Sequence, residues 1–242
     1  DLTIFGAGAG AGRTTIRQTC PGSRVLEHSS SGPLALLGVR ITGGTLTNER
    51  GAGLRTSGPL FMSDSQVVGN RSSGTTTGSA GGGISAADDA DVTLVDSLVW
   101  GNEAFVGGGV HAYDNGMVNA DVELERSTIG GNVARSTYGG VAAGNLFLTD
   151  STLVDNEANG GNTSDVGGGY STFTRLVRST VTGNRAHGSD SIAVYGLALL
   201  VDRSIVAGNP VDRSCGSSGL PQDLGFNVTD DCFGTHGPTT ID

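Results

Sequence analysis

Apolar residues recur along this chain in a two-residue beat. Leu60 and Met62, Val92 and Leu94, Val122 and Leu124, Leu146 and Leu148, and Leu199 and Val201 each bracket one polar or mixed position. A second kind of segment carries one apolar residue at its centre: Val67, Val99, Ile129, Leu153, Val181 and Val206. A third is a glycine cluster running into a larger residue, as in Gly81-Gly82-Gly83-Ile84, Gly107-Gly108-Gly109-Val110, Gly139-Gly140-Val141 and Gly167-Gly168-Gly169-Tyr170. Alternation in short runs, punctuated by Gly and Asn, predicts short strands with one buried face. No stretch keeps a helical period long enough for a helix.

The middle segment is a six-residue phrase: SQVVGN at 65–70, SLVWGN at 97–102, STIGGN at 127–132, STLVDN at 151–156, STVTGN at 179–184 and SIVAGN at 204–209. A degenerate copy, VRITGG, occupies 39–44, and successive final residues lie 26, 32, 30, 24, 28 and 25 positions apart. Self-similarity at such a period is the mark of a stacked repeat, in which each unit buries its apolar face only against its neighbours. The predicted fold is all-β: a single-stranded parallel β-helix of about seven to nine coils with three strands per coil. Residues 1–209 form the repeats, and residues 210–242 an irregular cap of the same domain. Strands of successive coils pair at about 4.8 Å, so seven rungs make a rod of roughly 35 Å. Parallel stacking puts like on like. The closing Asn70, Asn102, Asn132, Asn156, Asn184 and Asn209 are therefore predicted to form a ladder, each at a left-handed corner and each bonding the next. The longer connections, at 71–80 and 157–166, fall on one corner of the rod, where a solenoid often carries its working face.

Composition supports this architecture and removes several functions. Forty-two glycines without a Gly-X-Y period describe tight turns rather than collagen. A net charge of −10 argues against nucleic acid or anionic lipid as partner. All the basic residues are Arg, so Schiff-base or other lysine chemistry is excluded. No apolar run is long enough for a transmembrane segment. The abrupt start in patterned sequence, Leu2-Thr3-Ile4-Phe5-Gly6, reads as a mature product, and the glycine-alanine run at 6–12 as a turn rather than a phosphate loop.

The S-x-[VIL]-x-G-N rungs with their GGG-[VI] turns resemble bacterial surface proteins with polymorphic-outer-membrane-protein-like β-helix repeats. The stretch Leu224 to Cys232, with Cys215 upstream and Gly237-Pro238-Thr239 after it, is similar to the closing segment of choice-of-anchor Q domain proteins. The resemblance covers nearly the whole chain. It implies a right-handed β-helix, export, and an extracellular or cell-surface location, and it brings no catalytic residues with it.

Candidate chemistry is sparse. Cys215 and Cys232 are predicted to pair, closing a loop worth about 3 kcal/mol in the chain-entropy model, which leaves Cys20 free and buried. His28, His111, His187 and His236 show no ligand spacing, so no metal site is predicted. The one acidic knot that could hold calcium, Asp88, Asp89 and Asp91, lacks a calcium-loop spacing and reads as a solvated turn, as does Asp114-Asn115. Glu123 and Glu125 project from one strand beside Arg126, near Asp96 and Asp150, and form the best cluster for a carbohydrate-active lyase or hydrolase. Against that stands a charge ladder. The residue before each phrase runs Asp64, Asp96, Arg126, Asp150, Arg178, Arg203, mostly opposite charges one rung apart.

The phrase itself exposes an uncharged stripe. Its outward positions are Gln66 and Val68, Leu98 and Trp100, Thr128 and Gly130, Thr152 and Val154, Thr180 and Thr182, and Ile205 and Ala207. Such a stripe on an acidic chain predicts a contact surface for a protein, a carbohydrate or a second copy, packed side by side or end to end. Alternatively, Trp100 and Leu98 lie under an unseen part of the polypeptide. An ice-binding face would need regular T-x-T pairs, and only Thr180-Val181-Thr182 supplies one. The function expected is thus an adhesive, structural or assembly module, with the carbohydrate-active enzyme second and ice binding third.

Overall fold

The structure is a computed structural model, and it describes residues 1–7, 14–87, 90–112, 120–161, 165–219, 221–230 and 232. Among these there is no helix. Thirty short strands lie in three parallel sheets of fifteen, nine and six, stacked as a solenoid of about eight turns.

The nine-stranded sheet is built from the phrase. Its strands Val39–Thr42, Gln66–Val68, Leu98–Trp100, Thr128–Gly130, Thr152–Val154, Thr180–Thr182 and Ile205–Val206 pair in register. Ile41, Val67, Val99, Ile129, Leu153, Val181 and Val206 form one internal column, every member fully buried. The alternating segments form a second wall: Leu60, Val92, Val122 and Leu146 stack, as do Met62, Leu94, Leu124 and Leu148. Burial of these columns against one another is the main apolar gain of each added turn.

The strands are not divided where the sequence divides them. Residues after the glycine clusters (Ile84–Ala86, Val110–Ala112, Val141–Ala143) share one sheet with the alternating segments, and in later turns the two fuse into Val166–Val177 and Ile192–Asp202. The third sheet is made instead by two-residue strands just after the Asn: Thr45–Leu46, Arg71–Ser72, Glu103–Ala104, Val133–Ala134, Glu157–Ala158 and Arg185–Ala186. Segments this short carry no readable alternation.

The Asn ladder forms, but its backbone differs from expectation. The left-handed residues are those before the Asn (Gly69, Gly101, Gly131, Asp155, Gly183, Gly208) and those before the Ser (Asp64, Asp96, Arg126, Asp150, Arg178, Arg203). The Asn side chains turn inward and are buried from Asn70 to Asn184. From Asn102 onward each Oδ1 accepts from both the backbone N–H and the Nδ2 of the preceding Asn, as Asn132 does from Asn102 at 2.9 and 3.0 Å, while Asn70 Oδ1 takes the Gly44 N–H. Each Nδ2 also donates to a carbonyl of the preceding coil, as Asn132 does to Val99 at 3.0 Å. The glycine clusters lie against this ladder. A Cβ on Gly109 would sit 2.6 Å from the Gly140 carbonyl oxygen and 2.9 Å from Asn132 Nδ2, so only glycine lets the backbone approach so closely.

The Ser of each phrase makes a second buried ladder. The hydroxyls of Ser97, Ser127, Ser151, Ser179 and Ser204 accept the backbone N–H of the preceding Ser at 3.0–3.2 Å. Each donates to the carbonyl two residues back, as Ser97 does to Val95 at 2.8 Å. Satisfying buried backbone groups at every corner is what a solenoid requires, and two short polar side chains per turn do it here.

Pairing continues past Asn209 in a looser turn. Ile205 and Val206 pair with Val228 and Thr229, and Asn227 takes the Ser position, accepting from Ser204 N at 2.8 Å. Cys215 pairs with Val194, and its disulfide to Cys232 seats both sulfurs at the end of the apolar core. Cys20 is free but exposed, not buried as expected, because it lies in the turn leaving strand Thr14–Arg17 rather than on an inward column.

Candidate contact face and charged flank

The outward side chains of the nine-stranded sheet form two columns. One runs Arg40, Gln66, Leu98, Thr128, Thr152, Thr180, Ile205. The other runs Thr42, Val68, Trp100, Gly130, Val154, Thr182, with Ala207 beyond. The uncharged stretch is bounded by Arg40 at one end and the exposed Asp230 at the other. Trp100 and Ile205 are 41% and 45% exposed; Gln66, Leu98, Thr128, Thr152, Val154, Thr180 and Thr182 are half-buried, and Val68 is buried. Trp100 is thus left partly uncovered by the described residues.

The ring of Trp100 is spread over the next coil. A Cβ on Gly130 would meet Cζ3 at 2.3 Å and Cε3 at 2.7 Å, and one on Gly131 would meet Cε2 at 3.0 Å and Nε1 at 3.2 Å. Opposite edges of the indole thus rest on two successive glycines, which holds the ring flat. The sequence carried this signal: the one phrase with Trp at its fourth position is followed by the one with Gly there. Thr128, Thr152 and Thr180 stand in consecutive coils, and no described residue hydrogen-bonds their hydroxyls.

The neighbouring face is charged. Glu123 and Glu125 are exposed and, with Thr93, Leu124, Phe147 and Thr149, line a shallow depression of about 280 Å³. Arg126 bonds Asp96 through Nε and Nη2 at 2.8 and 2.9 Å and also contacts Glu125, so Glu125 is committed to an ion pair. Arg178 grips Asp150 in the same way, both contacts 2.6 Å, whereas Arg203 takes its own neighbour Asp202 at 3.0 and 2.8 Å. The hydrogen bonds from Arg126, Arg178 and Arg203 hold the Asp96, Asp150 and Asp202 carboxyls below their ordinary range. Backbone and hydroxyl bonds from Ser191, and the backbone N–H of Asp190, do the same for Asp212. Groups with depressed values stabilise the fold above the unfolded carboxylate range and lose that contribution as pH falls through their folded values. The melting temperature is therefore expected to drop below about pH 4, and Arg126→Gln to make that drop smaller, as a pH series of thermal melts will show.

The remaining candidates are dispersed. His28 is buried with Nδ1 3.0 Å from the Thr56 hydroxyl, His111 is buried, and His187 pairs with Glu157 at 2.9 Å; His236 lies outside the described residues. No group of metal-ligating side chains occurs among the described residues. Asp88, Asp89, Asp114 and Asn115 lie outside them, and Asp91 accepts the Asp121 N–H at 2.8 Å. Sequence reasoning missed the stacked rings of Tyr138, Tyr170 and Tyr195, with centroids 4.5 and 5.4 Å apart. Tyr170 and Tyr195 occupy equivalent positions in successive turns, so register alone could have found that pair.

No helix of the described residues is long and apolar enough to cross a membrane. No protein-family profile, curated protein or solved structure matches the chain.

Proposed function

We propose that this chain is a non-catalytic contact module of an exported, surface-associated protein, acting through the uncharged face of its nine-stranded sheet. The observation that carries this reading is a two-column stripe, from Gln66 and Val68 to Ile205 and Ala207, without a charge in a chain of net −10 and with Trp100 open upon it. Buried Ser and Asn ladders flank the stripe and hold successive coils in register, so little ordering entropy is lost on contact. The Cys215–Cys232 disulfide fits an oxidising compartment. The likeness of the rungs and closing segment to bacterial surface β-helix proteins points the same way.

A carbohydrate-active enzyme is the second reading, favoured by the depression holding Glu123 and Glu125. Its two carboxylates stand on an open sheet, and one is engaged by Arg126. The two readings separate by substitution. Retention of labelled protein on arrayed cell-surface polysaccharides and matrix proteins should be abolished by Trp100→Asp and unchanged by Glu123→Gln with Glu125→Gln. Equal retention of Trp100→Asp sinks the contact reading. A glycan-cleaving activity that the double Glu variant loses would establish the enzyme instead.

A further inference from the structure

Resting on the contact-face reading, we infer that the occupant of the stripe is a neutral glycan chain, with one sugar ring stacked on Trp100 and its neighbours bonded by the threonine row.

The dimensions argue against a protein partner. From the Gln66 coil to the Ile205 coil the stripe runs about 24 Å, and its two columns stand about 7 Å apart. A stable protein–protein contact buries about 800 Å² on each partner, several times the area of such a strip. Most of its side chains are small and half-buried, and its exposed large side chains are Ile205 and the flat-lying Trp100. One long side is closed by the exposed charged corner of Asp96, Arg126, Asp150 and Arg178, and the other is a row of glycines interrupted by the exposed Asp155. What fits is narrow, extended and uncharged.

The chemistry narrows it further. Trp100 offers one face of a ring whose other face lies on Gly130 and Gly131. A flat, immobilised indole presents a negative π-face, which attracts the polarised C–H groups on one side of a pyranose. Beside it the hydroxyls of Thr128, Thr152 and Thr180, and the amide of Gln66, have no partner among the described residues. Each can both donate and accept, as can every sugar hydroxyl. The three threonines repeat at the strand spacing of about 4.8 Å, close to the length of one sugar unit, so a chain laid along the rod meets a fresh hydroxyl at each of these three coils, with Leu98 standing between them and Gln66. A purely apolar occupant would leave these groups unmatched, and a polyanionic glycan would approach a chain of net −10.

Trp100 is the only tryptophan, so intrinsic emission reports this site alone. The intact chain is titrated with gluco-, manno- and galacto-configured neutral hexasaccharides and with a hexamer of a polyuronate, following emission and acrylamide quenching. At least one neutral hexasaccharide should shift the emission to the blue and shield it, while the polyuronate should do neither. In calorimetry Trp100→Ala should weaken that binding about tenfold or more, and Thr152→Val, which suits a strand, should weaken it several-fold while leaving the melting temperature in place. The inference is overturned if no neutral hexasaccharide acts at millimolar concentration, if the polyuronate binds as well, or if both variants bind like wild type. Retention on an arrayed protein that Trp100→Asp abolishes, without any sugar response, removes the glycan and keeps the contact face. Retention of Trp100→Asp everywhere removes both.

Discussion

Asn132→Ala is expected to cost about 3–5 kcal/mol of unfolding free energy, read as a shift in the urea midpoint. The Asn132 carboxamide is fully buried and engaged four times. It accepts from the backbone N–H and the Nδ2 of Asn102, and donates to the Val99 carbonyl at 3.0 Å and to Asn156 Oδ1 at 2.9 Å. Alanine removes the oxygen that the Asn102 N–H needs and the donor that the Val99 carbonyl uses, at a position with no exposed surface. Each stranded buried group costs about 1–3 kcal/mol, against about 5–15 kcal/mol for a whole domain. Asn209→Ala supplies the control. That residue is half-exposed at the last phrase, where water can replace its bonds to Asn184 and Val181, and about 1 kcal/mol is expected there. Equal costs at the two positions would mean that the ladder does not hold the coils together.

Gly109→Ala should be as damaging for a different reason. Its Cβ would stand 2.6 Å from the Gly140 carbonyl oxygen and 2.9 Å from Asn132 Nδ2. Neither is the far end of a flexible side chain; one is sheet backbone and the other is held by its hydrogen bonds. Relief requires the coils to separate locally, and a loss of about 3 kcal/mol or more is expected. Gly101→Ala offers the contrast, because a Cβ there meets nothing within 4 Å and the residue only loses its comfortable left-handed conformation, at φ +63°. About 1 kcal/mol covers that. Calorimetric melts of the two variants separate a steric requirement from a conformational one, and similar shifts would refute it.

The coil repeat was legible because its marks are spaced by whole turns: the six phrases give the parallel stack, the internal column and the Asn ladder without any coordinates. The cysteine pair was legible because both members sit in the short closing stretch. What the sequence hid follows from geometry at the corners. Pattern places Asn at a turn but does not say whether Asn70 or Gly69 takes the left-handed backbone; the inward turn of the carboxamide decides it. The Ser ladder escaped notice because Ser is common in turns, and its role exists only between coils. Cys20 was misplaced because a cysteine at the edge of a turn carries no periodicity to reveal its side. At the candidate face, alternation found the stripe, while the seating of Trp100 on Gly130 and Gly131 depends on two rungs read together.

The Ser and Asn ladders also bear on how such a chain can change over generations. Between Ser65 and Asn209 each winding receives the same set of partners from the one before and hands an equivalent set to the one after. Loss or duplication of one complete winding therefore leaves no interior group orphaned, whereas a gain or loss of a few residues inside the phrase breaks both rows at once. Length is free to vary in whole units, and the reach of the molecule becomes a heritable quantity adjusted by copying rather than by redesign.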